Sequence, residues 1–167
     1  MTKAVSRPSH TPRQCLFAPA NAHAGPKVCI IAEIGVNHDG QRDRALELLQ
    51  AAKQAGADAV KFQLFDPRFL LSNQACLAEY QKQSDDDVFA MLDRLMLPAE
   101  DLAAIRAEAR RLGLAFILTP FSLENFEVLK DLHVDAVKIA SPDAVNTPLI
   151  ELCSSLGRPM IISTGTA

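Results

Sequence analysis

The chain has 167 residues, 17 basic and 20 acidic side chains, a net charge of -3 and 49% hydrophobic residues. That apolar content supplies a core and excludes disorder over most of the chain, and no run approaches the ~20 apolar residues of a membrane span. The mild acidity lacks the clustered Lys/Arg footprint of a nucleic-acid partner, and the one adjacent basic pair, Arg110-Arg111, reads as a solvated helix face. Cys15, Cys29, Cys76 and Cys153 are far apart and form no C-x-x-C, so reduced thiols in a cytoplasmic protein are expected.

Residues 1–26 carry no acidic side chain and no apolar stretch long enough for a signal peptide, so a flexible tail or lead-in is expected there. From Lys27 onward, in a second region spanning 27–167, one pattern repeats. Val28 to Ile34 is a first apolar run, and Ala45, Leu48, Leu49 and Ala52 follow at helical spacing until Gly56 stops them. Ala57 to Phe65 is the second run. Ser84 and Asp87 form a possible capping box ahead of Val88, Met91, Leu92 and Leu95. Pro98 opens a helix with the stripe Leu102, Ile105, Ala109, Leu112, which Gly113 closes before the third run, Leu114 to Leu118. Ser122 is positioned to cap a helix carrying Phe126, Leu129 and Leu132, and the fourth run is Val134 to Ile139. Pro148 suits the first turn of a helix through Leu156 that ends at Gly157, before the fifth run, Pro159 to Ser163. Runs apolar on both faces, alternating with helices, predict a parallel α/β architecture.

In such folds ligands bind at the carboxyl ends of the strands. Those ends carry Glu33 with Asn37 and His38, then Lys61 and Gln63, Thr119, Lys138 and Ser141, and Ser163 with Thr164. Asp58-Ala59-Val60-Lys61 and Asp135-Ala136-Val137-Lys138 form a faint repeat, expected at the ends of the second and fourth strands. Alternation puts Ala59, Lys61 and Gln63 on one face and Val60 and Phe62 on the other. Ala136, Lys138 and Ala140 likewise oppose Val137 and Ile139. The bulky face suits packing under helices and leaves two lysines in one interior site, which suits a phosphate or carboxylate ligand. The alternative is that both lysines pair with neighbouring carboxylates such as Glu33. His38 could be a general acid, a metal ligand or a hydrogen-bonding residue, and His133 reads as structural. No dinucleotide fingerprint or P-loop is present.

The segment Ile31-Ala32-Glu33-Ile34-Gly35-Val36-Asn37-His38-Asp39-Gly40 closely resembles the opening motif of the sialic acid synthase (N-acetylneuraminate synthase, NeuB-like) family. Val60-Lys61-Phe62-Gln63, Thr119-Pro120-Phe121, Val137-Lys138-Ile139-Ala140-Ser141 and Ile162-Ser163-Thr164-Gly165 resemble further family motifs, in the family's order. The resemblance implies a (β/α)8 TIM barrel, of which this chain is expected to carry about the first five strands as a truncated form. It implies condensation of phosphoenolpyruvate with an N-acyl hexosamine, N-acetylmannosamine-like, giving a nonulosonic acid and phosphate. Lys61, Thr119, Lys138, Ser141 and Ser163 would then hold the phosphate and carboxylate, Glu33 would lie beside the reacting carbons, and Gln63 would face the sugar. Many members have Gly-Glu after the serine of the fourth strand. Pro142-Asp143 stands here, and Asp143 keeps a carboxylate on a shorter stem, which bears on the sugar accepted. A divalent metal, Mn2+ or Mg2+, is implied as a Lewis acid on the sugar aldehyde, with its histidine ligands on strands beyond Ala167. A homodimer is a further possibility. Two other functions fit the same residues: a Schiff-base aldolase using Lys61 or Lys138, and a non-catalytic anion-binding half-barrel.

Overall fold

A computed structural model describes residues 28–70 and 88–165. Five strands, β1 (Ile31–Gly35), β2 (Ala59–Leu64), β3 (Ala115–Pro120), β4 (Ala136–Ile139) and β5 (Met160–Ile162), form one sheet in the order β1-β2-β3-β4-β5. Every neighbouring pair is parallel. The helices are α1 (Arg42–Gln54), the short α2 (Pro67–Leu70), α3 (Val88–Leu95), α4 (Ala99–Arg111), α5 (Phe126–Asp131) and α6 (Thr147–Ser155). Single 3-10 turns, Leu123–Asn125 and Ser141–Val145, precede α5 and α6. None of the described helices is long and apolar enough to cross a membrane.

The two faces of the sheet bury different residues. Val60, Phe62, Phe116, Leu118, Val137 and Ile139 pack with Leu49, Leu102, Ile105, Leu129 and Leu149 of the helices in the larger core. Each such side chain contributes about 1.5–3 kcal/mol through removal from water. The opposite face buries a separate, smaller cluster of Ala59, Ala115, Ile117 and Ala136, against which Ile161 packs. Sequential strand order with helices covering one face describes a barrel arc. A doubly wound sheet would reverse its order and carry helices on both faces. The fold is therefore a partial (β/α)8 barrel of five strands.

The Asp-Ala-Val-Lys repeat opens the strands instead of ending them. Asp58 Oδ2 accepts from the Ile30 amide at 3.0 Å, and the Asp58 amide donates back to the Ile30 carbonyl at 2.9 Å. Asp135 Oδ2 accepts from the Phe116 amide at 2.9 Å and its amide returns a 2.9 Å bond to the Phe116 carbonyl. The same clamp thus sets the entrance of β2 against β1 and of β4 against β3. Lys61 and Lys138 each fall at the third residue of their strand, inside it.

Other boundaries shift for similar reasons. Pairing of β1 begins at Ile31 with Ala59, and Val28 lies outside the strand, 74% exposed. β3 runs on to Pro120 because Gln63 and Leu64 pair with Thr119 and Pro120. Ser122 does not cap a helix: its hydroxyl bonds Asn125 Oδ1 at 2.9 Å across the 3-10 turn. Pro98 immediately precedes α4. Pro148 does sit in the first turn of α6, but the cap is Asn146, whose Oδ1 accepts from the Leu149 amide. Arg110 and Arg111 are exposed on α4, with Arg111 paired to Glu108 at 2.7 Å. The capping box at Ser84 and Asp87, the segment 1–26, Cys15 and Cys76 lie outside the described residues.

Candidate active site

The parallel strands bring Glu33, Lys61, Gln63, Thr119 and Lys138 toward one end of the sheet's inner face. β1 pairs with β2 as Glu33 to Lys61, and β2 with β3 as Gln63 to Thr119. Register alone thus sets the first contact: Lys61 Nζ is 2.7 Å from Glu33 Oε2. The same ammonium donates to Thr119 Oγ1 at 3.2 Å. Thr119 is buried, while the Lys61 side chain is 14% exposed and that of Glu33 52%. Lys61 is therefore a fixed cation with its carboxylate partner open to solvent.

Lys138 is held differently. Its ammonium donates to the neighbouring Ile139 carbonyl, and no carboxylate among the described residues forms an ion pair with it. Burial pushes its pKa below the ordinary lysine value, the Lys61 charge pushes the same way, and Glu33 opposes them. Pairing with a carboxylate therefore accounts for Lys61 but leaves Lys138 as a cation with no counter-charge of its own among the described residues. A second lysine within electrostatic reach of the first is the arrangement that an anionic ligand would stabilise.

The β1 exit sets the wall beside Glu33. Between Glu33 paired with Lys61 and Gly35 paired with Phe62, Ile34 is an extra residue, a bulge. Bulges re-aim side chains beside sites. Gly35 has φ +55, and a Cβ built on it would lie 3.0 Å from Glu33 Oε1 and 3.7 Å from Gln63 Nε2. The glycine therefore lets backbone approach the Glu33 carboxylate and the Gln63 amide closely.

The remaining expected residues lie at the same strand ends. Ser141 starts the 3-10 turn after β4. Asp143, in that turn, accepts from Asn146 Nδ2 at 3.2 Å and so braces the cap of α6. The Ser163 amide donates to the Ile139 carbonyl at 3.1 Å, placing the serine just past β5 beside the end of β4. His38, singled out by its position, is 1% exposed. Its Nδ1 accepts from the Gly40 amide at 3.0 Å, and the ring stacks on Phe62 with centroids 5.9 Å apart. Of the three roles open to it, hydrogen bonding is the one that its contacts show. Among the described residues no three His, Cys, Asp or Glu side chains come together as a metal-ligand set. These residues by themselves do not fit the implied divalent ion. Asn146 and Gly35 are the site-supporting residues that motif reading missed. Asn146 was signalled by an Asn two residues before a helix-opening proline.

A model of the NeuB family matches residues 48–167, most of this arc. The chain belongs to the NeuB family. This NeuB-family chain is 42% identical over 139 residues to the N,N'-diacetyllegionaminic acid synthase of Legionella pneumophila, covering 81% of itself and 39% of that protein. Among solved structures it resembles the sialic acid synthetase of Leptospira borgpetersenii, determined with citrate, at a TM-score of 0.68 and 29% identity. That match covers 84% of this chain and 45% of the other. It also resembles the Bacillus subtilis spore coat polysaccharide biosynthesis protein spsE, at a TM-score of 0.63 and 37% identity, over 82% of this chain and 36% of that one. The NeuB-family chain thus spans under half the length of these relatives.

Proposed function

We propose that this chain carries the phosphoenolpyruvate-binding part of a nonulosonic acid synthase, a cytoplasmic transferase that condenses phosphoenolpyruvate with an N-acyl hexosamine. The observation that carries the proposal is the Lys61 ammonium, 2.7 Å from Glu33 and 3.2 Å from Thr119, beside a Lys138 that has no carboxylate partner among the described residues. Phosphoenolpyruvate has a phosphate and a carboxylate, two anionic ends for two fixed cations. Lys61 and Lys138 hold these ends, and the hydroxyls of Thr119, Ser141 and Ser163 supply further donors. Charge fixed in advance costs no reorganisation as the reaction proceeds.

In the reaction the enol carbon forms a bond to the sugar aldehyde carbon. Water then adds to the phosphate-bearing carbon, and its C–O bond breaks to release phosphate. Glu33, anchored through Oε2, keeps Oε1 toward Gly35 and lies beside the reacting carbons. Gln63 faces the sugar, and Asp143 borders the sugar side. The divalent metal implied by the family resemblance draws its ligands from outside the described residues. The steps assigned to this chain are charge binding and orientation.

Calorimetric titration of phosphoenolpyruvate into the chain, followed by phosphate assay with N-acetylmannosamine and Mn2+, tests the proposal. Lys61→Met and Lys138→Met should each weaken phosphoenolpyruvate binding at least about tenfold, because a charge-assisted contact is worth about 1.5–3 kcal/mol. No binding by the parent chain, or binding by both variants as tight as the parent's, would overturn it. Binding without turnover would support the anion-binding half-barrel instead.

A second reading is favoured by the depressed pKa of Lys138 next to another cation. Lysines so placed are the ones that form imines with carbonyl substrates. Borohydride reduction in the presence of pyruvate would leave a stable mass increment on Lys138 if the chain were a Schiff-base aldolase.

A further inference from the structure

The first four strands are one strand-pair unit used twice. Asp58 clamps Ile30 through a side-chain and a backbone bond, and Asp135 clamps Phe116 in the same way. The parallel register beyond each clamp is also the same: Ile31 stands opposite Ala59 in the first unit, and Ile117 opposite Ala136 in the second. Two residues further along β1, Glu33 pairs with Lys61. Continuing the second register by one residue past Leu118 and Val137 brings Thr119 level with Lys138. Lys61 and Lys138 are therefore equivalent positions, and so are Glu33 and Thr119. The acid of the first unit is a hydroxyl in the second. That hydroxyl already accepts from Lys61 of the first unit at 3.2 Å, and the Lys138 ammonium turns to the Ile139 carbonyl. Together Glu33, Lys61 and Lys138 carry a net positive charge.

We infer that Thr119 is a specificity-determining residue: a hydroxyl where the first unit has a carboxylate keeps Lys138 from being neutralised as Lys61 is, and so sets the site to take an anionic ligand, a phosphate or carboxylate. A carboxylate at position 119 would lie level with Lys138 and cancel the net charge. The inference rests on the reading of both lysines as ligand cations, but its electrostatic half can be tested without a ligand. Thr119→Asp adds the charge at nearly constant volume, which matters because Thr119 is buried. Thr119→Val removes the hydroxyl and adds no charge, so it separates the two effects. Glu33→Thr makes the first unit match the second. The Glu33 side chain is 52% exposed, so this is the variant expected to fold if Thr119→Asp does not.

Two measurements decide. The first is the rate of reductive methylation of each lysine in the folded proteins, read by peptide mass spectrometry, because an ammonium beside a carboxylate yields less of the reactive free amine. Lys138 should react more slowly in Thr119→Asp than in Thr119→Val, and Lys61 faster in Glu33→Thr than in the parent. Unchanged rates would overturn the inference, whatever the chain binds. The second is phosphoenolpyruvate titration. Binding should be at least about tenfold weaker in Thr119→Asp than in Thr119→Val, and about tenfold tighter in Glu33→Thr than in the parent. Thr119→Asp binding as tightly as Thr119→Val, or Glu33→Thr binding no tighter than the parent, would overturn it. If the parent binds no phosphoenolpyruvate, the functional reading fails, and the methylation rates still decide what sets the charge of the site.

Discussion

Lys61 and Lys138 are the same residue type on the same face, yet the structure gives them different electrostatic roles. Lys61 is neutralised by Glu33, whereas Lys138 is partly buried beside Lys61 and its pKa falls below 10.5. An anion arriving next to Lys138 raises that pKa again. Between the free and bound values, binding should therefore be accompanied by proton uptake. Titrating phosphoenolpyruvate in alkaline buffers of different ionisation enthalpy should show it, and Lys138→Met should abolish it. His38 titrates in the opposite region. Burial lowers its pKa below 6.5, Arg44 acts with burial, and Asp39 and the Gly35 backbone bond oppose them. The unfolded chain then binds the proton more readily than the folded one. The stability associated with neutral His38 is thus complete above pH 6.5 and is lost as pH falls through the lower folded-state value. Thermal melts between pH 7 and 5 should show a shallower decline for His38→Asn than for the parent.

Among the elements, α1, α4, α5 and α6 each end two residues before a left-handed residue, which is glycine in all but one of them. α4 ends before Gly113 at φ +69, the left-handed conformation that terminates helices and that glycine adopts without strain. α5 ends before His133, which takes φ +47 at the equivalent position. The Arg106 guanidinium bonds the His133 carbonyl at 2.9 Å, a backbone contact that any residue would keep. His133→Gly should therefore raise stability by about 0.5–1 kcal/mol through relief of backbone strain, read as a higher denaturation midpoint. No change or a loss would mean that the imidazole makes a compensating contribution. Much at this scale was legible beforehand. Five apolar runs became five strands, and period-two alternation placed Lys61 and Lys138 on the inner face opposite Phe62 and Ile139. Boundaries were less legible, because a strand begins and ends where its neighbour offers partners. Thr119 joins β3 through Gln63, 56 positions away in the chain, and no local pattern reports that.

At the scale of the whole molecule, β1 and β5 each have a single strand neighbour among the described residues. The β5 edge presents Ile162 at 43% exposure, and Ile30 beside β1 is 50% exposed. Unpaired strand edges with apolar side chains are templates for pairing with another chain. Light scattering should accordingly show the 18.1 kDa chain gaining apparent mass as concentration rises. Ile162→Lys should reduce that gain, because a lysine on an edge opposes pairing. A constant monomer mass at every concentration would count against this edge as an association site.

Composition and periodicity were sufficient for the parallel α/β class and the inward face of the second and fourth strands, because these depend on spacing within a few residues. The family was legible in five short motifs in fixed order. The Glu33–Lys61–Thr119 contact, the lack of a carboxylate partner for Lys138 among the described residues, and the bond from the Gly40 amide to His38 came from tertiary structure. Each depends on the register between strands or on the closure of a turn, and those are set by backbone pairing across the sheet, which side-chain periodicity along one strand does not encode.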